Sequence, residues 1–378
     1  MTKGIILSGG WGTRLRPLTC TLPKTLIPVV NKPVIERQIL LLKSVGVEEI
    51  VLAVSVMADD IKKYFKNGED LGVKIHYTDE KQPMGTGGAL KLAESLLKSD
   101  KFFMVNGDEI INFDFHEMLD LHEKYKALGT IASMKVDDPS RYGVLIVDNN
   151  SNQILKFQEK EEYMPPEGKL IPMPVNVGVY LLEPEIFSYI EPNKKTSIER
   201  DIFPQIANKK KLYNYSIKGI WQDVGKPYDL LKGNILMMNS LIEGSHDNKE
   251  NIIAENAQLK GNVNINSPVT IGENTLVNDK CIVGPNAVIG DNVQIEENTE
   301  IKNAIIYNNT YIGENTKIEN AIVSDNCRIN QNVILKGYDK NLVILASYVE
   351  VLENIQLITP YNQHIAFCHH EVVRDDLK

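Results

Sequence analysis

The chain has few of the features that mark membrane, secreted or nucleic-acid-binding proteins. No apolar run in its 378 residues reaches the roughly 18 needed to cross a bilayer as a helix. Its start runs directly into a strand-like segment, with no basic stretch and long apolar core of a secretory signal. A cytoplasmic protein with no membrane partner is therefore expected. Only four cysteines occur, Cys20, Cys281, Cys327 and Cys368. Their spacing suits neither a disulfide framework nor a metal-ligand set. Basic residues are outnumbered, 41 Lys and Arg against 50 Asp and Glu, for a formal net charge of −9. No face-wide basic excess remains for a phosphate backbone, so nucleic acid is not an expected partner. No histidine lies between Ile252 and Leu335, which removes the usual general base from that stretch. What is left is an ordinary globular composition, 43% hydrophobic and 24% charged, in a chain too long for one core.

The most informative stretch runs from Ile5 to Pro17. The apolar run Gly4 to Leu7 reads as a short buried strand, and it ends in Gly9, Gly10 and Gly12. Glycines there permit positive φ, and successive free N–H groups form an anion-binding concavity. Arg14, Arg16 and then Lys24 follow, three cations suited to the spread charge of a polyphosphate. Strand and helix signals then alternate. Pro33–Val45, Ala58–Phe65 and Gly87–Leu97 read as helices, and Glu49–Ser55, Val73–Tyr77 and Phe102–Val105 as strands. Such alternation predicts a parallel sheet covered on both faces, with ligands beyond the carboxyl ends of its strands.

A second regime begins near Ile252. Aliphatic residues recur every six positions at Leu259, Ile265, Ile271, Val277, Val283, Ile289, Ile295 and Ile301. Shortened steps reach Ile306 and Val323, and the series runs on to Ile329 and Leu335. Small or branched residues, among them Thr275, Cys281, Ala287, Thr299 and Cys327, stand at the other inward position. Glycines and asparagines fill the turns, where left-handed backbone is cheap. A six-residue period points to a parallel β-helix, with both cysteines as core residues. The expected division is residues 1–240, a linker at 241–251, the β-helix at 252–337 and an irregular cap at 338–378.

Chemistry-bearing residues gather in the first part. Val105-Asn106-Gly107-Asp108 ends a buried strand in a carboxylate, and Gly219-Ile220-Trp221-Gln222-Asp223 presents another. Two carboxylates at one sheet edge suit Mg²⁺ completed by substrate oxygens. The glycine-rich loop from Asp79 to Gly88 offers backbone against which a flat base could lie. Glu159-Lys160 sets an acceptor beside a cation, and Asn176 stands on a strand beside Gly178.

Six such motifs, in the family's order along the chain, resemble the sugar-1-phosphate nucleotidyltransferases, from Gly4 to about Ser240. With the β-helix appended, the whole is most similar to the mannose-1-phosphate guanylyltransferase branch. The resemblance implies a Rossmann-like doubly wound mixed α/β sheet followed by a left-handed β-helix. It also implies that NTP and sugar 1-phosphate give NDP-sugar and pyrophosphate with Mg²⁺. By resemblance Leu7, Gly9, Gly10, Gly12 and Thr13 cradle the nucleotide, and Arg14 and Lys24 act on its phosphates. Glu80, Gly85 and Thr86 lie at the base. Glu159, Asn176 and Glu199 bind the sugar, Lys160 holds its phosphate, and Asp108 and Asp223 hold the metal. Glu161 departs from the proline that often follows Glu-Lys in the family.

Glu80 stands where relatives using uracil or thymine often carry glutamine. A carboxylate only accepts hydrogen bonds, and guanine offers two adjacent donors, so Glu80 favours GTP. A shift of register would make Gln82 the reader and keeps UTP or dTTP with glucose 1-phosphate open. A non-catalytic regulatory paralogue would be expected to lose one of Arg14, Asp108 or Asp223, and none is missing. An acyltransferase role for the β-helix lacks a histidine on its coils. The open end and flat faces of the β-helix predict a homo-oligomer.

Overall fold

The computed structural model describes residues 2–160, 163, 170–245 and 249–374. Its contacts divide the chain into two units, one of Met1–Trp11 with Val34–Asp223, the other of Gly12–Pro33 with Val224–Lys378. In chain order, strands β1 (Lys3–Ser8), β2 (Pro28–Val29), β3 (Lys32–Pro33), β4 (Glu49–Val54), β5 (Lys74–Asp79), β6 (Phe102–Asn106) and β7 (Glu109–Phe113) come first. Strands β8 (Gly129–Val136), β9 (Val144–Val147), β10 (Ile154–Gln158), β11 (Met173–Leu182), β12 (Leu212–Ser216) and β13 (Gly219–Asp223) follow. The first unit is a mixed sheet of order β10-β9-β11-β6-β1-β4-β5, with β8 bonded to β11 and β12. Strands β1, β4, β5 and β6 run parallel, and β11 returns antiparallel to β6. Ile5 and Ile6 on central β1 are fully buried, as a strand covered on both faces requires.

Helices α1 (Val34–Ser44), α2 (Ala58–Phe65), α3 (Gly85–Leu92), α4 (Glu94–Leu97), α5 (Phe115–Tyr125) and α6 (Phe203–Asn208) belong to this unit, and α7 (Pro227–Glu243) to the other. The single helix expected at Gly87–Leu97 is two, because Ala93 leaves helical geometry at φ −90°, ψ 1°. The parallel strands deliver their carboxyl ends to one edge. There lie Gly9–Trp11 after β1, Glu80–Met84 after β5 and Gly107–Asp108 after β6.

The second unit contains the β-helix. Three stacks of apolar residues run along it, one per six-residue step of each coil, and all but Ile253 and Leu259 of the first coil pack in or against its core. The first is Ile253, Ile271, Ile289, Ile306, Val323, Leu345 and Phe367. The second is Leu259, Val277, Ile295, Ile312, Ile329, Val351 and Val373. The third is Ile265, Val283, Ile301, Ile318, Leu335 and Leu357. Coil partners such as Asn256 and Asn274 are 18 apart, whereas Asn286 and Asn303 are 17 apart, which accounts for the shortened steps. Turn asparagines such as Asn274, Asn292, Asn309 and Asn332 take positive φ. Interior Thr275 and Thr299 donate their hydroxyls to the carbonyls of Gly290 at 2.7 Å and Gly313 at 3.1 Å. Cys281 and Cys327 are buried, as core residues of the coils should be, and burial pushes the Cys327 thiol up to about 12.

Two boundaries are corrected. The described part of the expected cap, residues 338–374, is not irregular, since the coils continue to Val373. The last coils are longer, with partners such as Asn332 and Asn354 22 apart, so the six-residue period is masked rather than lost. The histidines of that stretch therefore sit on coils, and His364 Nδ1 accepts the Leu342 N–H at 2.8 Å. The linker starts late, because α7 runs through Glu243. Residues 246–248 of the linker and 375–378 of the expected cap lie outside the described residues, as does Glu161.

Candidate active site

The acidic turn is fixed from three directions. Strand β6 ends at Asn106, and the next amide, Gly107 N–H, donates to Leu7 O of β1 at 2.8 Å. Strand β7 then begins at Glu109 and pairs antiparallel with β13, so that Gly219 opposes Phe113 and Asp223 opposes Glu109. Asp223, separated from Asp108 by 115 positions of sequence, is thereby brought beside the turn that carries Asp108. The Glu109 carboxylate accepts the Trp221 indole N–H at 2.9 Å across the same pair. From α1, the Gln38 amide nitrogen donates to Asn106 O and to Glu109 O, both at 2.9 Å. Gln38 is 1% exposed, so the turn hangs on a buried two-pronged clamp. Sequence reasoning missed Gln38, which in the chain is one polar residue in a helix. Asp108 and Asp223 are both half-buried. Among the described residues no group of three or more His, Cys, Asp or Glu side chains converges as a metal cage. A pair of carboxylates is the donor set that fits Mg²⁺, which keeps waters and substrate oxygens in its remaining positions.

A second cluster centres on Glu199. Its Oε2 accepts from Thr86 Oγ1 at 2.6 Å and Ser197 Oγ at 2.7 Å, and its Oε1 from Tyr180 OH at 3.1 Å. Asn176 Nδ2 donates to the same Tyr180 oxygen at 2.8 Å. Asn176 and Tyr180 meet because β11 shifts register between them. Gly178 between them sits at φ +73°, and a Cβ there would stand 2.6 Å from Asn106 Nδ2. Tyr180 is fully buried, and burial with the Glu199 charge holds its phenol well above the usual range. It is thus a neutral bridge between two residues expected at the sugar. The sequence names Thr86, Asn176 and Glu199 of this network, but not the tyrosine that joins Asn176 to Glu199.

The expected base loop is more closed than the sequence suggests. Glu80 Oε1 accepts the Met84 N–H at 2.6 Å, which clasps the loop on itself. The other oxygen, Oε2, would be 3.5 Å from a Cβ on Gly9. Gly85 takes φ +75°, and a Cβ there would stand 2.5 Å from Thr196 O. Cβ atoms on Gly87 and Gly88 would press on Thr196 and Met84. Close protein packing, rather than an open face for a base, accounts for these glycines on the side their Cβ would occupy. Gly10 differs, because at φ +151° it has nothing within 4 Å. Glu159 and Lys160 follow β10, with Glu159 half-buried and Lys160 exposed.

The basic residues of the glycine turn belong by contacts to the second unit. Thr13 and Arg14 lie in a short 3₁₀ turn, Thr13–Leu15, and both are exposed. Lys24 opens another, Lys24–Leu26. Gly12, at φ +57°, lies so close to Lys24 that a Cβ would be 3.1 Å from the lysine Cβ, and its carbonyl accepts Thr19 Oγ1 at 2.8 Å. The two cations thus share one tightly packed segment.

A glycine turn after the first strand of an α/β sheet, with Asp108 after the neighbouring parallel strand, is the architecture of a nucleotide-handling protein. The chain belongs to the nucleotidyl transferase family, which matches residues 3–240. The GMPPB C-terminal domain matches residues 265–375. Mannose-1-phosphate guanyltransferase of Saccharomyces cerevisiae is 45% identical over 246 residues, 63% of this chain and 65% of that protein. The Candida albicans protein of the same name is 42% identical over 276 residues, 71% of this chain and 73% of its own length. The chain therefore spans a little under two thirds of the Saccharomyces relative and somewhat more of the Candida one. Among solved structures, HddC from Yersinia pseudotuberculosis, complexed with GMP-PN, has a TM-score of 0.52 at 29% identity, covering 62% of this chain and 98% of that one. No helix among the described residues is long and apolar enough to cross a membrane.

Proposed function

We propose that the chain transfers the guanylyl group of GTP to mannose 1-phosphate, yielding GDP-mannose and pyrophosphate. The observation that supports this reading is the β7–β13 register, which sets Asp223 opposite Glu109, the residue that follows Asp108. The names of the relatives and the GMP-PN in HddC favour guanine over uracil and thymine. A mannose 1-phosphate oxygen attacks the α-phosphorus in line, the new O–P bond forms, and the bond to the β-phosphate oxygen breaks. No side-chain nucleophile is needed, because the phosphate is already one; the protein must position and neutralise. Gly9, Gly10 and Gly12 present backbone to the phosphates, with Leu7 and Thr13 flanking them. Arg14 and Lys24 hold charge on the triphosphate and the leaving pyrophosphate, and Lys160 holds the incoming phosphate. Asp108 and Asp223 would hold Mg²⁺, which when bound would supply further charge neutralisation. Glu80 reads the guanine N1–H and N2–H through Oε2, since Oε1 is committed to Met84. Asn176 and Glu199, tied through Tyr180, orient the sugar with Glu159, and Gly85 with Thr86 keeps the loop seated. The same reading makes this a cytoplasmic enzyme that self-associates through its β-helix, whose first coil exposes Ile253 and Leu259. Alanine at Asp108 or Asp223 tests it. Each variant is expected to fold and to lose about 10²–10³ in turnover, the usual effect of removing one charge-stabilising group. Wild-type-like turnover at ordinary Mg²⁺ in either would refute the assignment.

A further inference from the structure

The basic segment Gly12–Pro33 ends in a hairpin that residues of the second unit grip. Strands β2 and β3 are joined by Val30 and Asn31 at φ 50° and 62°, the backbone of a two-residue primed turn. A β-branched residue rarely adopts that conformation, which persists only where the surroundings over-determine it. Here they do. Val30 N–H donates to Oδ1 of Asn234 at 2.8 Å, and Asn234, on α7, is fully buried. Asn31 Nδ2 donates to Ile289 O of a β-helix coil at 2.7 Å. Tyr307, on the next coil and 4% exposed, donates its hydroxyl to Pro28 O at 3.0 Å. Lys24 lies four residues before Pro28, with Leu26 and Ile27 buried between them. Lys24 is thus joined by four residues of chain to the gripped hairpin, and Gly12, two residues before Arg14, packs closely on Lys24.

We infer that Tyr307, Asn31 and Asn234 are positioning residues for nucleotide binding. The β-helix thereby sets the triphosphate affinity of the basic segment through side chains that touch no ligand. The inference rests on the nucleotide reading above and extends it. It gives the β-helix a role in the reaction besides self-association.

Tyr307→Phe keeps the ring that fills the buried site and removes only the hydroxyl. Trp11 lies between Gly10 and Gly12 and is 66% exposed, whereas the other tryptophan, Trp221, is buried, so the red-shifted part of the emission follows the turn. The full chain is titrated with GTP and Mg²⁺ while this fluorescence, steady-state kinetics and thermal melting are followed. The Tyr307→Phe variant is expected to bind GTP about three- to tenfold more weakly, the usual effect of one lost hydrogen bond. Its KM for mannose 1-phosphate should stay unchanged. Adding Asn31→Ala should weaken GTP further, with the melting transition still cooperative. A purely structural role would lower the melting temperature and leave the ratio of the two KM values where it was, and that result overturns the inference. So does unchanged GTP affinity in the double variant. A wild-type chain that neither responds to GTP nor turns over would overturn the nucleotide reading itself, and this inference with it.

Discussion

Replacing Gln38 by leucine separates the geometry of the acidic turn from its charge. Leucine is of similar size and helix propensity, but it supplies neither of the two N–H groups that reach Asn106 O and Glu109 O. Each bond contributes about 1 kcal/mol net, and an acceptor left unpaired in a buried site costs about 1–3 kcal/mol. A loss of about 2–4 kcal/mol in stability follows, readable as a shift in the denaturant midpoint at constant slope. The turn between those carbonyls carries Asp108, and a displacement near 1 Å at a reacting centre can cost about 10²-fold in rate. Pyrophosphate release measured across a Mg²⁺ series, at a temperature where the variant is folded, should show lower kcat and a higher Mg²⁺ requirement. Gln38→Glu refines the test. An ionised carboxylate can only repel the two carbonyls, whereas its protonated form donates once. The glutamate variant should therefore worsen as pH rises through the titration of the buried carboxyl, and the leucine variant should not. A leucine variant with wild-type stability and Mg²⁺ response would refute the clamp.

Tyr180→Phe removes the hydroxyl joining Asn176 to Glu199 and should raise the KM for mannose 1-phosphate about five- to tenfold, with GTP affinity unchanged in titration. Gly85→Ala places a methyl 2.5 Å from Thr196 O at φ +75°; a destabilisation of about 2 kcal/mol or more is expected in chemical denaturation. His122 is 1% exposed, with Thr130 Oγ1 at 2.8 Å and Glu183 Oε1 at 3.3 Å, and burial lowers its pKa from 6.5 to about 4. The folded form thus prefers the neutral ring, so stability present above pH 6.5 is lost as the pH falls from there toward 4, by on the order of 3 kcal/mol in all. Melting temperatures at pH 7.5 and 5.0 should fall more steeply for wild type than for His122→Gln; parallel slopes would contradict this.

What could be read in advance followed from local signals. The β-helix period was visible because each coil takes three six-residue steps, and even the short steps at Ile306 and Val323 correspond to coils of 17 residues. It disappeared after Tyr338 because longer coils insert residues at the turns without changing what points inward. Asp108 and Asp223 stood out because each ends a short strand in a recognisable turn. Gln38 did not, since its partners are backbone carbonyls 68 and 71 residues away and any polar residue on that helix reads alike. The loop glycines were visible but not their neighbour. Only the fold shows Thr196 against Gly85. Equally, nothing in the order of residues says that Gly12–Pro33, sitting between β1 and α1, packs with the β-helix. That depends on Tyr307 and Asn234, more than 200 residues away.

Pyrophosphate release tests the central claim most directly. GTP, UTP, dTTP, ATP and CTP are each paired with mannose, glucose and N-acetylglucosamine 1-phosphates in the presence of Mg²⁺. The account predicts clear preference for GTP with mannose 1-phosphate, abolished by Asp108→Ala. Preference for UTP or dTTP with glucose 1-phosphate, or release from no pair at all, would contradict it.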